Sequence, residues 1–155
     1  AVSAIAGLCE EQSDEAQAAM LLEAAGGDFA QAVYDDNDFV VTKEADVNVL
    51  DVTTLLKRLF AMRLDGASPQ TISQRFHAAF SAGMAELARI CIPAGSSVCL
   101  SGGTFLNRFM SADLNRRLRQ MGYQTYLPSQ LPPGDGAISF GQCAVARQRL
   151  DAAGH

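Results

Sequence analysis

The chain has 155 residues and a formal charge of −5, with 48% apolar and 19% charged residues, 13 Gly and 5 Pro. That length suits one compact unit or a part of something larger, and the composition excludes disordered, collagen-like and low-complexity classes. The longest apolar stretch, around Ala78 to Ala85, falls short of the roughly 20 residues that a membrane helix needs, so a soluble chain with no membrane partner is expected.

Charge is distributed unevenly. Residues 1–51 hold 12 acids against Lys43 alone, a balance of −11, whereas residues 52–155 hold 11 bases against 5 acids, a balance of +6. The later two thirds would attract an anion, while the acidic first third reads as a solvated helical surface. The bases are scattered and Trp is missing, so no nucleic-acid partner is expected. Cys9, Cys91, Cys99 and Cys143 form no CxxC pair and no zinc spacing. In contexts such as Ser97-Val98-Cys99-Leu100 they are expected as small buried hydrophobes in a reducing cytoplasm. The first residues, Ala1 to Leu8, carry no signal-peptide n-region and read as an entry in mid-helix.

In chain order, residues 13–25 read as a helix with Ser13 as N-cap, Ala18, Leu21, Leu22 and Ala25 inward, and Gly26-Gly27 as the stop. Acid-rich turns then surround a short β-prone run, Phe39 to Thr42. Asp51 caps a second helix through Leu64, with Leu55, Leu56, Leu59 and Phe60 as its buried stripe. Ser68-Pro69 opens the longest helix, whose apolar face runs through Ile72, Phe76, Phe80, Met84 and Leu87 to about Cys91. Ser97 to Leu100 reads as a buried strand, and Gly102-Gly103 breaks it. A helix follows with Leu106, Phe109, Met110, Leu114, Leu118 and Met121 inward, then a strand from Tyr123 to Leu127. The loop Pro128–Gly134 leads through Asp135-Gly136 into a last helix, about Ala137 to Leu150. Strand, Gly turn, helix, strand, loop and helix imply an α/β fold with a parallel crossover. The expected organisation is a mainly helical segment, 1–96, and an α/β segment, 97–155.

Ligands of open α/β sheets bind beyond the carboxyl ends of the strands. Two turns lie there. Leu100-Ser101-Gly102-Gly103-Thr104 leaves room for a phosphate against the backbone, although a Gly-Gly turn is more often a tight connection. Pro132-Pro133-Gly134-Asp135-Gly136 offers one carboxylate at a helix entrance, either as a cap or as an oxygen ligand for a hard cation. Ser101 lacks the GxSxG context of a nucleophile. His77 reads as a packed or surface histidine, and His155 stands at the chain end. Glu15 and Glu23 could share a helix face, and Arg116, Arg117 and Arg119 read as a solvated face.

The residues Ser101-Gly102-Gly103-Thr104-Phe105-Leu106-Asn107, and then Pro132-Pro133-Gly134-Asp135-Gly136-Ala137-Ile138-Ser139-Phe140-Gly141-Gln142, resemble the patterns SGGVFxN and PPNDGGISLGQ of the hydrogenase maturation carbamoyltransferases, the HypF family. Glu15 to Glu23 resembles its EGQAAMELE stretch, and Arg75-Phe76-His77 its RFH segment. The departures are Ala16 for Gly, Gly134 for Asn and Ala137 for Gly. The resemblance covers nearly the whole chain. It implies part of an actin-like ATPase/RNase H-like lobe, with a parallel β-α-β-α core and additional helices, similar to the tRNA threonylcarbamoyl-transferring enzymes. It further implies an enzyme that uses carbamoyl phosphate and ATP, through carbamoyl adenylate, to carbamoylate the terminal cysteine of a HypE-type maturation protein. Carried over by position, Ser101, Gly102, Gly103 and Gly136 would face the nucleotide, Asn107 would contact the adenosine portion, and Asp135 would bind a divalent metal. The family's remaining metal ligands, an HxxxH pair, and its remaining lobes are not in this chain. The competing expectation is a binding or assembly module that keeps the fold without the chemistry, with a sugar-kinase-type phosphotransferase as a weaker third.

Overall fold

The structure is a computed structural model that describes residues 1–153; His155 lies outside the described residues. A short helix α1 (Val2–Ile5) precedes α2 (Gln17–Gly26). Helix α2 begins later than Ser13, in a turn held by side-chain bonds: Gln12 Oε1 accepts from Ala18 N–H of the first helical turn at 3.1 Å, and Gln17 Oε1 reaches back to accept from Ser13 N–H at 2.9 Å. Ser13 Oγ bonds Asp14 instead of capping. Leu22 is buried as expected, but Leu21 is 40% exposed.

The β-prone run is one arm of a hairpin. β1 (Val40–Glu44) pairs antiparallel with β2 (Val47–Asp51), from Val40 opposite Asp51 to Glu44 opposite Val47. The turn between them, Ala45-Asp46, has Ala45 at φ +52° and none of the Asn-Gly chemistry that marks such turns, which hid β2 from the sequence. Asp51 Oδ1 accepts from Thr53 N–H at 2.7 Å and opens α3 (Thr53–Leu64). Leu55 and Leu59 are fully buried, whereas Phe60 is 54% exposed. At about 100° per residue Phe60 lies well round the helix from Leu55, beyond the covered arc.

α4 (Pro69–Cys91) is the spine of the molecule, capped by Ser68 Oγ accepting from Thr71 N–H at 3.1 Å, with Pro in its first turn. Its deepest positions are mostly small, including Ser73, Ala78, Ala79, Ser81, Ala82, Gly83 and Ala85, while Phe76 and Phe80 are only half-buried. Small residues let several elements approach one helix closely; a Cβ on Gly83 would meet Leu50 Cδ1 at 2.8 Å and Phe39 Cγ at 3.1 Å. One apolar cluster gathers Val2, Ala6, Leu22, Leu55, Leu59, Ile72 and Ala79 on the amino-terminal half. A second gathers Ala85, Leu100, Leu114, Leu118 and Tyr123. Helix α4 contributes to both.

The second half is the expected crossover. β3 (Ser97–Cys99), a 3-10 turn (Gly103–Leu106), α5 (Arg108–Gln120) and β4 (Gln124–Tyr126) follow in order. β3 and β4 are parallel, Val98 opposite Thr125. One face of β3 stays uncovered: the adjoining Leu100 is buried, but Ser97 and Cys99 are exposed. The expectation of buried cysteines fails generally, since Cys91, Cys99 and Cys143 are exposed and Cys9 is half-buried. On α5, Met110, Leu114 and Leu118 are buried, while Leu106 and Met121, at its ends, are 63% and 39% exposed. Its arginines are not a free solvated face. Arg116 and Arg117 both pair with the buried Asp113, Arg117 also lies 4.9 Å over the Tyr34 ring, and Arg119 Nε donates to Thr125 Oγ1 at 2.8 Å. A further 3-10 turn (Asp135–Ala137) leads into α6 (Ile138–Ala152), which buries no residue. No described helix is long and apolar enough to cross a membrane.

Candidate functional site

Both glycine turns leave the carboxyl ends of the parallel strands, and the fold closes them on each other. Gly102 N–H donates to Pro133 O at 2.6 Å and Ser101 Oγ to the same oxygen at 3.1 Å. A Cβ on Gly134 would lie 3.6 Å from Gly103 Cα. Ser101 therefore staples the two turns together. Gly102 sits at φ +107°, which only glycine adopts without strain, and nothing lies within 4 Å of a Cβ added to Gly102 or Gly103. The backbone is exposed there, and the Gly103 and Thr104 amides donate to no acceptor among the described residues. Gly136 is required by crowding instead, since its Cβ would stand 2.9 Å from Pro132 Cγ.

Asp135 is exposed and makes no side-chain hydrogen bond among the described residues; α6 starts at Ile138, after Ala137 as N-cap, without a side-chain cap. The capping role is therefore not the one it plays here. Its carboxylate is free to take a cation, as one ligand only: no group of three His, Cys, Asp or Glu among the described residues could hold a metal.

Asn107 is the N-cap of α5, its Oδ1 accepting from Met110 N–H at 2.9 Å. Its Nδ2 faces His77 Nε2 at 2.9 Å. His77 Nδ1 contacts Ser73 O at 2.8 Å, so Nδ1 carries the proton and Nε2 accepts from Asn107. Ser73 Oγ in turn donates to Leu22 O. This chain of bonds ties α2, α4 and α5 together. His77 is 2% exposed among the rings of Phe29, Phe76 and Phe109. Burial pushes its pKa below the ordinary value against the opposing pull of Ser73 O and the Glu23 charge. The sequence left open a packed or a surface histidine; the structure buries it, with a partner the sequence did not indicate.

A cavity of about 540 Å³ opens beside this chain of bonds. Met20, Leu22, Phe76, Phe80, Leu106 and Met110 make it apolar, Glu23, His77 and Asn107 supply polar groups, and Gly103 and Thr104 join it to the glycine turn. Glu23 Oε1 also accepts from Arg108 N–H at 2.8 Å, at the start of α5. Glu15 does not share its face, because it precedes α2. Neither Glu23 nor the cavity was apparent as a site in the sequence, since its walls come from three separate segments.

The family model described as "Carbamoyltransferase, Kae1-like Domain, second subdomain" matches residues 1–142. The carbamoyltransferase HypF of Rhizobium leguminosarum bv. viciae is 36% identical over 96% of this chain and 19% of its own length. A carbamoyltransferase HypF homolog of Cupriavidus necator is 32% identical over 95% of this chain and 38% of its own. Among solved structures, full-length HypF in the phosphate- and nucleotide-bound form superposes with a TM-score of 0.83 at 31% identity, over 96% of this chain and 19% of that one. T. kodakarensis HypF, 23% identical with a TM-score of 0.69, shares the fold. The chain thus spans between about a fifth and two fifths of the length of these relatives. With two collinear motifs closing one edge of a parallel pair and a family model over 1–142, the chain belongs to the HypF carbamoyltransferase family, as the second subdomain of its Kae1-like domain.

Proposed function

We propose that this chain forms the nucleotide-facing half of a HypF-type carbamoyltransferase that acts in hydrogenase maturation. The observation that carries the reading is the closure of the Ser101-Gly102-Gly103 turn on the Pro132–Gly136 turn, with open space over both glycines and a free carboxylate alongside. ATP phosphates would lie over Gly102 and Gly103, against the free amides of Gly103 and Thr104, in a region of positive charge balance. The apolar cavity next to Gly103 would take the base, with Asn107 and Glu23 at its polar end. Asp135 would give one oxygen to a divalent cation that neutralises phosphate charge, its other ligands coming from outside this chain. The substrates would be ATP and carbamoyl phosphate, joined as carbamoyl adenylate with release of pyrophosphate. The acceptor would be the terminal cysteine of a HypE-type protein, in the cytoplasm. The named relatives and the nucleotide-bound HypF structure support the reading.

The test is ATP binding and pyrophosphate release by the assembled enzyme. Gly102→Val should weaken ATP binding most, because a branched residue at φ +107° adds backbone strain to lost phosphate space; Gly103→Val should weaken it by occupancy alone. Asp135→Asn and Asp135→Ala should both lower metal-dependent turnover and leave thermal stability within about 0.5 kcal/mol, as for a surface position without a cap. Undiminished ATP binding in both folded glycine variants would favour an assembly module that keeps the fold without the chemistry.

A further inference from the structure

His77 is the buried titratable group that the nucleotide reading leaves unused. A leucine or phenylalanine would pack as well against Phe29, Phe76 and Phe109. A buried imidazole is costly unless both ring nitrogens are bonded, and here both are. One bond stays within α4, to Ser73 O, while the other crosses 30 residues of sequence to Asn107. Asn107 ends the 3-10 turn that Gly102-Gly103 opens and caps the helix that follows. Its amide has no freedom to turn over, because Oδ1 is held by Met110 N–H.

We propose that His77, as the neutral imidazole with its Nε2 lone pair directed at Asn107, is a positioning residue for the nucleotide-facing turn, fixing the Asn107 amide and with it the segment Gly102–Asn107. The proposal rests on the nucleotide reading above. Its chemistry is directional. An imidazolium would set Nε2–H against the Asn107 Nδ2 hydrogens, donor against donor, and Asn107 could answer only by giving up its cap on Met110 N–H. Burial among the aromatic rings favours the neutral ring and outweighs Glu23 and Ser73 O, which pull the other way. From α2 the titratable group facing it is Glu23, already bonded to Arg108 N–H; the segment after α2 and α5 contribute the Phe29 and Phe109 rings, and its own helix contributes Phe76 and Ser73.

The experiment measures ATP affinity of the assembled enzyme from pH 5 to 8, together with amide hydrogen exchange over residues 102–110. Wild-type affinity should be constant above about pH 6.5 and weaken by about two- to tenfold toward the acid end, the worth of one neutral hydrogen bond. His77→Leu should bind more weakly at every pH, with no pH step, and exchange faster within 102–110 but not along α4. His77→Gln, whose amide oxygen can accept from Asn107, should rescue most of the affinity and remove the pH step. Asn107→Asp keeps the cap and presents an acceptor to His77, so its affinity should rise on acidification, a reversal of slope that a general packing role does not produce. Affinity unchanged in His77→Leu overturns the proposal, as does exchange that quickens evenly through the chain. Wild-type enzyme that binds no ATP at any pH overturns the nucleotide reading itself and, with it, the positioning role.

Discussion

Ala16 shows how a single side chain can depart from a family pattern and be strained for it. It stands at φ +60°, left-handed, at the entrance to α2, where the family pattern EGQ has Gly. A Cβ in that region costs roughly 1–2 kcal/mol relative to the right-handed conformation, and the position borders the apolar cavity. Ala16→Gly gives part of that gain back as extra freedom of the unfolded chain. Its net effect should be about 1 kcal/mol of added stability, a rise in melting temperature of about 2–4 °C for a domain of this size, read by thermal denaturation. No change in melting would mean that the strain is relieved elsewhere in the turn.

At the scale of elements, one buried carboxylate clamps three of them. Asp38, fully buried in a 3-10 turn (Asp36–Asp38), accepts from Arg58 on α3 and Arg75 on α4, both at 2.8 Å, and from Asp35 N–H at 2.9 Å. Burial pushes its pKa up, but hydrogen bonds from Arg75, the Asp35 amide and Arg58 outweigh it and hold the group below the ordinary value. The arginine of the RFH segment thus anchors α4 as the histidine anchors α5. Removing one partner of a buried pair costs about 3–5 kcal/mol; the guanidinium side chains remain 37% and 22% exposed. Asp38→Asn should therefore cost less, about 2–3 kcal/mol in urea unfolding. With the folded pKa lowered, this stabilisation is complete above the unfolded value near 3.8 and is lost as pH falls through the folded one. The Asn variant should accordingly lose less stability than wild type on acidification below about pH 4; parallel losses would show that the carboxylate is not the group responsible.

For the whole molecule, the decisive feature is how much apolar surface the second half leaves uncovered. α6 exposes Ile138, Phe140, Val145 and Leu150, each half exposed or more, and the sheets have two strands apiece with open edges. Such surfaces seek partners. Relatives of about two and a half to five times this length bring further chain that could cover them. The isolated chain should self-associate despite its charge of −5. Sedimentation velocity over a wide concentration range should show this as an increasing weight-average mass; a constant monomer mass would count against it.

What the sequence by itself determined is what lies within a few residues of its own signal. Ser68-Pro69 opened α4 where capping chemistry requires it, leucine spacing placed Leu55 and Leu59 inside, and the order strand, Gly turn, helix, strand implied the parallel pair. The two glycine motifs identified the family. Only the tertiary structure decided which faces are covered, because that depends on residues far apart in the chain. It exposed Phe60, Leu106 and Cys99, enclosed Arg117 against Asp113 and Tyr34, and found β2 opposite β1 across a turn without glycine. It gave Asn107 to His77, 30 positions away, and left Asp135 without the capping role the bare sequence offered it. A periodic pattern encodes which side of an element is apolar; what stands against that side, and whether a buried polar group finds its partner, is settled only when the elements pack.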